Sequence, residues 1–132
     1  MREPIRDRGR LEHIMGAIEH IETFIEAKSF DDFSSDSMLF YAVVKNIEII
    51  GEAANNLTKE LRSRHPEIEW ADVIGMRHVL VHDYYNISPT LAWKTAKNNI
   101  PSLKQQISNI LQKDTQLPLS ISRDYLDNNT KH

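Results

Sequence analysis

Apolar residues recur along this chain at intervals of three and four, which is the spacing of one face of an α-helix. The first stripe predicts a helix over about residues 5–27, and the second predicts a helix that Ser35 or Asp36 caps and that ends near Asn56. The two stripes consist of Leu11, Ile14, Ile18, Ile21 and Ile25, and of Phe40, Val43, Val44, Ile47, Ile50, Ala54 and Leu57. Residues 29–35 between them are polar and are predicted to form a turn.

Capping residues and prolines mark the later elements. Thr58 predicts the start of a short helix that ends at Arg64, because the following His65-Pro66 disfavours helical angles. A further helix is predicted over residues 70–82. Ser88-Pro89 predicts the start of another, and Pro101 is expected to begin or kink a last one. We therefore predict an all-α protein, an antiparallel helical bundle of four to five helices.

The helical pattern fails after Lys113. Residues 114–132 contain Pro118, scattered apolar side chains and a polar ending. A chain of 132 residues that is 40% hydrophobic has enough apolar side chains for one core. We expect one helical domain over residues 1–113 and a C-terminal tail over residues 114–132 that is partly ordered or flexible.

Charge and composition exclude several classes of function. The chain has 16 basic and 19 acidic residues and a formal net charge of −3, so any contact with RNA must come from a local basic patch. The absence of cysteine excludes disulfides, thiolate metal sites and a cysteine nucleophile. No stretch has the apolar length of a signal peptide or a membrane span, which predicts a cytoplasmic protein without a membrane partner.

The densest chemistry lies in residues 75–85, which contain Arg77, His78, His82, Tyr84 and Tyr85. An imidazole that exchanges a proton near neutral pH, close to a fixed cation, suits phosphodiester cleavage. On a regular helix Arg77 and His82 lie about 140° apart and do not share a face. Either the helix ends near His82 and lets Tyr84 and Arg77 approach it, or Arg77 of one subunit serves His82 of another across a two-fold axis.

Other interpretations of the same side chains stay open. Arg77 and His82 could form a structural pair, and Glu52 could orient Arg77 or pair with a lysine. His78 could position a substrate, or it could simply donate to a carbonyl group. His78 and His82 lie one turn apart, as metal ligands often do, but no third ligand is placed beside them. We assign no metal and no cofactor.

At these residues the chain resembles the HepT-type toxins of the HEPN superfamily, small helical ribonucleases of prokaryotic toxin–antitoxin pairs. The resemblance covers residues 6–110. Its motif is an arginine, a polar residue, three more residues, a histidine, any residue and a tyrosine, and it falls on Arg77, His78, His82 and Tyr84. The other similar stretches are Arg6-Asp7-Arg8, Asn46-Ile47-Glu48-Ile49-Ile50-Gly51-Glu52-Ala53-Ala54, Pro66-Glu67-Ile68-Glu69-Trp70 and Ile74-Gly75-Met76-Arg77.

The resemblance implies a homodimer with both motifs near a shared cleft and a metal-independent cleavage of RNA. The 2′-hydroxyl would attack the adjacent phosphate, His82 would act as general base or acid, and Arg77 would stabilise the phosphorane. It further implies a nucleotidyltransferase antitoxin of the MNT type that attaches AMP to Tyr84, with His78 and Glu52 as supporting residues. Two alternatives are a catalytically silent scaffold for that nucleotidyltransferase and a metal-dependent nuclease built on His78 and His82.

Overall fold

The computed structural model describes residues 2–78 and 88–116, which form helices and turns without any strand and so confirm the predicted all-α class. None of these helices has both the length and the apolar composition needed to cross a membrane. In chain order they are α1 (Arg2–Ile25), α2 (Phe30–Ser35), α3 (Ser37–Asn55), α4 (Lys59–Arg64), α5 (Trp70–Gly75), a 3₁₀ turn (Met76–His78), α6 (Pro89–Lys94), a π-helical turn (Thr95–Asn99) and α7 (Ile100–Gln116).

Helix α3 lies at the centre and packs against α1, α5 and the 3₁₀ turn, while α7 packs against α1. Two links show that α1 and α3 are antiparallel. Nδ1 of His20 donates to Oδ1 of Asn46 at 3.3 Å, whereas Asp7, earlier in α1, contacts Thr58, which follows α3. The fully buried core side chains include Leu11, Ile14, Ile18 and Ile21 of α1, Ile47 and Ile50 of α3, and Ile107 and Ile110 of α7.

The predicted helix starts are confirmed by their capping bonds. The side chains of Asp36, Thr58 and Ser88 accept hydrogen bonds from backbone N–H groups in the first turns of α3, α4 and α6. Pro101 lies in the first turn of α7, where its missing N–H and its ring disfavour a regular preceding turn. The π-helical turn, in which the N–H of Ile100 donates to the carbonyl of Thr95, widens the helix at this place.

The prediction of a turn over residues 29–35 is wrong, because α2 lies there. Oγ of Ser29 accepts from the N–H of Asp32 at 3.0 Å, and the Asp32 carboxylate accepts from the N–H of Ser29 at 2.9 Å. The hydrogen bond from the Ser29 backbone holds the pKa of Asp32 below its ordinary value. Phe33 is buried, with its ring centroid 5.2 Å from that of Trp93. One capping box and one buried ring therefore suffice for this short helix.

The prediction of a regular helix through residues 70–82 is also wrong for residues 70–78, the part of this range that the structure describes. Helix α5 ends at Gly75, and Arg77 lies in the 3₁₀ turn that follows. The predicted separation of about 140° between Arg77 and His82 assumed a regular α-helix, whereas Arg77 lies in a 3₁₀ turn; His82 lies outside the described residues. The last helix, in contrast, runs past Lys113 to Gln116.

A buried carboxylate joins the start of α1 to the start of α4. Asp7 is only 3% exposed, and it accepts from the backbone N–H of Thr58 at 3.0 Å and from its hydroxyl at 2.6 Å. Oγ1 of Thr58 in turn accepts from the N–H of Leu61, so Asp7 supports the helix cap. Nη1 of Arg10 lies 3.9 Å from the same carboxylate. This network fixes α4 on α1.

We expect Asp7→Ala to lower the free energy of unfolding by about 1–3 kcal/mol, because the Thr58 donors lose their acceptor in a partly buried place. Urea unfolding measures this loss. The matched control is Glu12→Ala, which removes a carboxylate of the same helix from an exposed ion pair with Arg8 and should cost less than about 1 kcal/mol. Equal losses in the two variants would contradict the role given to Asp7.

Candidate functional site

The 3₁₀ turn that carries Arg77 lies directly against Gly51 of α3. A Cβ atom on Gly51 would overlap the backbone nitrogen of Arg77, and it would lie 2.8 Å from the carbonyl carbon of Met76 and 2.9 Å from the Cα of Arg77. These neighbours are backbone atoms, which cannot turn aside as a flexible side chain can. Only glycine therefore allows the turn to pack at this distance.

The other glycines of the chain differ from Gly51. A Cβ added to Gly9, Gly16 or Gly75 would have no neighbouring heavy atom of another secondary-structure element within 4 Å. Glycine inside a helix costs about 1 kcal/mol relative to alanine, so a glycine surrounded by buried residues indicates a close approach of another backbone. The sequence pattern placed Gly51 in a helix without assigning it this contact.

Two side chains lie next to the Arg77 guanidinium. Nη1 is 3.8 Å from Oε1 of Glu52, and Nε donates to Nε2 of His78 at 3.3 Å. That hydrogen bond needs a lone pair on Nε2, so it forms with a neutral His78 imidazole that carries its proton on Nδ1. Lys45, an alternative partner for Glu52, instead donates to Glu48 at 2.9 Å.

Exposure decides which contact fixes Arg77. The Arg77 side chain is 30% exposed and that of Glu52 is 58% exposed, and an ion pair in such a setting contributes at most about 1 kcal/mol. The backbone of the turn, in contrast, packs on a buried glycine of the central helix. We infer that the contact with Gly51 positions Arg77 and that Glu52 and His78 adjust its side chain.

The arrangement suits the binding of a phosphate group. A guanidinium is charged at every physiological pH, and its planar set of N–H donors matches phosphate oxygens. The structure brings together Arg77, His78 and Glu52 of the predicted site residues. His82 and Tyr84, together with Tyr85, lie outside the described residues.

Comparison with known families now adds an independent observation. The family model for HepT-like ribonucleases, "Ribonuclease HepT-like", matches residues 14–110, a range that includes Gly51, Glu52 and the whole motif from Arg77 to Tyr84. The chain belongs to the HepT-like ribonuclease family. This family is part of the HEPN superfamily, to which the sequence motif already indicated a resemblance.

Relatives of similar length support this assignment. A candidate RNase of Caldanaerobacter subterraneus subsp. tengcongensis is 40% identical over 107 residues, which cover 81% of this chain and 96% of that protein. "Probable ribonuclease HepT" of Thermococcus cleftensis is 44% identical over 94 residues, or 71% of this chain and 86% of the relative. A candidate RNase of Methanocaldococcus jannaschii is 31% identical over 110 residues, or 83% and 95%. No solved structure matches the chain.

We expect Gly51→Ala to destabilise the protein by about 1–3 kcal/mol, because the added methyl group forces the Arg77 turn away from α3. Thermal unfolding followed by circular dichroism measures the change. Gly16→Ala is the matched control, since its methyl group enters open space on α1 and improves helix propensity by up to about 1 kcal/mol. If both variants are as stable as the wild type, the turn does not need its contact with Gly51.

Proposed function

We propose that this member of the HepT-like ribonuclease family is a metal-independent endoribonuclease toxin that cleaves RNA with Arg77 and His82. The observation that carries the proposal is the partly exposed Arg77 guanidinium, held next to His78 and Glu52 on a turn that packs against Gly51. The ion pair with Glu52 is exposed and weak, so it does not by itself account for an arginine at this position. The geometry of the guanidinium suits a phosphate.

The proposed reaction uses a nucleophile from the RNA itself. The 2′-hydroxyl attacks the adjacent phosphorus, the bond to the 5′-oxygen of the next nucleotide breaks, and a 2′,3′-cyclic phosphate remains. His82 accepts the proton of the 2′-hydroxyl or donates one to the departing 5′-oxygen, while Arg77 stabilises the negative charge on the non-bridging oxygens. His78 keeps the guanidinium oriented through Nε. DNA lacks the attacking group, so the substrate is RNA.

We propose that the active form is a homodimer with the two motifs near one cleft. Within the part of the chain that the structure describes, the Arg77 and Glu52 side chains are 30% and 58% exposed, so a second chain could contact them. An isologous interface repeats each contact and would place a second wall opposite each Arg77. Light scattering should give the mass of two chains, and a monomer at micromolar concentration would contradict this part of the proposal.

We further propose that a nucleotidyltransferase antitoxin regulates the site by attaching AMP to Tyr84, two positions after His82 in the motif. An AMP group adds a negatively charged phosphate close to the two groups that must bind RNA. The phosphate would compete for Arg77 and His82, and the adenosine would fill space in the cleft. The modification would therefore stop cleavage without unfolding the protein.

We expect Arg77→Ala and His82→Ala each to abolish RNA cleavage and any growth toxicity while the fold persists, because each removes a group that acts in the transition state. Cleavage of a labelled RNA, with and without EDTA, measures this. EDTA should leave the wild-type rate unchanged. Loss of the rate in EDTA and its recovery with zinc or manganese would instead support a metal site on His78 and His82.

We expect incubation with the nucleotidyltransferase and ATP to add AMP to Tyr84 and to stop cleavage. Intact-mass analysis and peptide mapping identify the modified residue. Tyr84→Phe should remain active in the presence of the antitoxin, whereas the control Tyr85→Phe should still be inactivated. Modification of Tyr85 would show that the wrong tyrosine was chosen, and neutralisation without any modification would show that the antitoxin acts by occlusion.

A further inference from the structure

One end of this acidic protein carries a local cluster of cations. Helix α4 contributes Lys59, Arg62 and Arg64 against one acidic residue, Glu60. The bond between Asp7 and Thr58 places the first turns of α1, which are also rich in arginine, beside the start of this helix. The formal net charge of the chain is −3, so this end differs in sign from the molecule as a whole.

A shallow cleft, open to solvent over most of its extent, lies between α4 and the start of α5 at this basic end. It has a volume of about 310 Å³ and is lined by Lys59, Arg62, Ser63 and Trp70. The indole is held in place because its Nε1–H donates to the carbonyl of His65 at 2.9 Å. The cleft therefore combines two cations and a hydroxyl group with a fixed aromatic ring.

Arg62 has an unsatisfied donor at this place. Its Nε is buried and has no hydrogen-bond partner among the residues that the structure describes. Buried donors are nearly always paired in folded proteins, and because Nε is closed to solvent where it lies, an acceptor from outside the chain would reach this guanidinium only after the side chain turns outward. Of the acidic residues close to this place in sequence, Glu67 lies 3.4 Å from Nδ1 of His65, and Glu69 borders a separate cavity with Asp72.

We propose that this cleft binds one nucleotide of the RNA, with a phosphate on Lys59, Arg62 and Ser63 and the base against the Trp70 ring. Cations combined with an aromatic face are the usual means of holding single-stranded nucleic acid without reading its sequence. The assignment rests on the proposed ribonuclease function, which it extends by a second contact with the substrate.

The position of the cleft relative to Arg77 fits this role. Trp70 is the first residue of α5, and Arg77 lies just after the end of that helix. The helical rise per residue places their Cα atoms about 10 Å apart along the helix axis. A strand of a few nucleotides is long enough to span a distance of this size.

The first test compares Lys59→Glu with Lys28→Glu, which makes the same change in charge just before α2. The probe is a single-stranded RNA of twelve nucleotides with 2′-O-methyl groups, which binds but cannot be cleaved. Fluorescence anisotropy should show that Lys59→Glu binds the RNA about ten-fold more weakly. The slope of log affinity against log salt concentration should also become shallower by the amount expected for about one phosphate contact. A negatively charged glutamate at the first position of α4 interacts favourably with the helix dipole, so the variant should fold.

The second test uses the two tryptophans of the chain. The Trp93→Phe variant retains only Trp70 as a fluorescent indole, and the same RNA should quench its emission by stacking. The control Trp70→Phe retains only Trp93, which packs against Phe33, and its emission should not change. Quenching that is absent in the protein with Trp70, or equal in both variants, would overturn the proposed stacking.

The outcomes separate this proposal from the ribonuclease function. If wild-type protein binds the RNA and Lys59→Glu binds it as tightly as Lys28→Glu does, the nucleotide site in the cleft is wrong while the ribonuclease function stands. If Arg77→Ala and His82→Ala abolish cleavage, and the RNA binds Lys59→Glu more weakly and quenches Trp70, both proposals hold. If wild-type protein neither binds nor cleaves RNA, both are wrong.

Discussion

The contact between Gly51 and the backbone of Arg77 is the constraint on which the rest of the site depends. Helix α3 is fixed by its packing on α1, so its one glycine is a rigid platform for the 3₁₀ turn. The same helix supplies Glu52, the next residue, to the guanidinium. Core packing thus determines where a surface cation lies, although its side-chain contacts are too exposed to hold it by themselves.

Polar links between distant parts of the chain maintain this platform. Asp7 joins α1 to the cap of α4, and His20 donates to the buried Asn46 in the middle of α3. A buried polar group without its partner is costly, so such links specify one register between helices that apolar contacts alone would leave less defined. The geometry at Arg77 therefore depends on residues that touch no substrate.

Local chemistry predicted much of the fold from the sequence. The caps at Asp36, Thr58 and Ser88 were predicted because each depends on a bond to a residue three positions later. The short helix α2 was missed although its capping box, Ser29 and Asp32, is a local signal, and its other support, the contact of Phe33 with Trp93, lies far along the chain. The 3₁₀ turn was missed because it depends on packing against α3.

The same distinction between local and long-range signals applies to the candidate site. The motif identified Arg77 by residue type and spacing, but nothing local predicts that Gly51 lies against its backbone. The similar stretches quoted from the sequence do contain Asp7 and Gly51, which the structure shows in contact with Thr58 and Arg77. Part of that resemblance therefore reflects packing, and only part reflects the proposed reacting groups.

In the function proposed above, RNA cleavage depends on the position that Gly51 gives to Arg77. The most direct measurement is the single-turnover cleavage rate of one RNA by Gly51→Ala and Gly16→Ala, at a temperature where both are folded. We expect Gly51→Ala to be at least about ten-fold slower, because small displacements of a catalytic group are costly, and Gly16→Ala to match the wild type. Wild-type rates in both variants would contradict the claim.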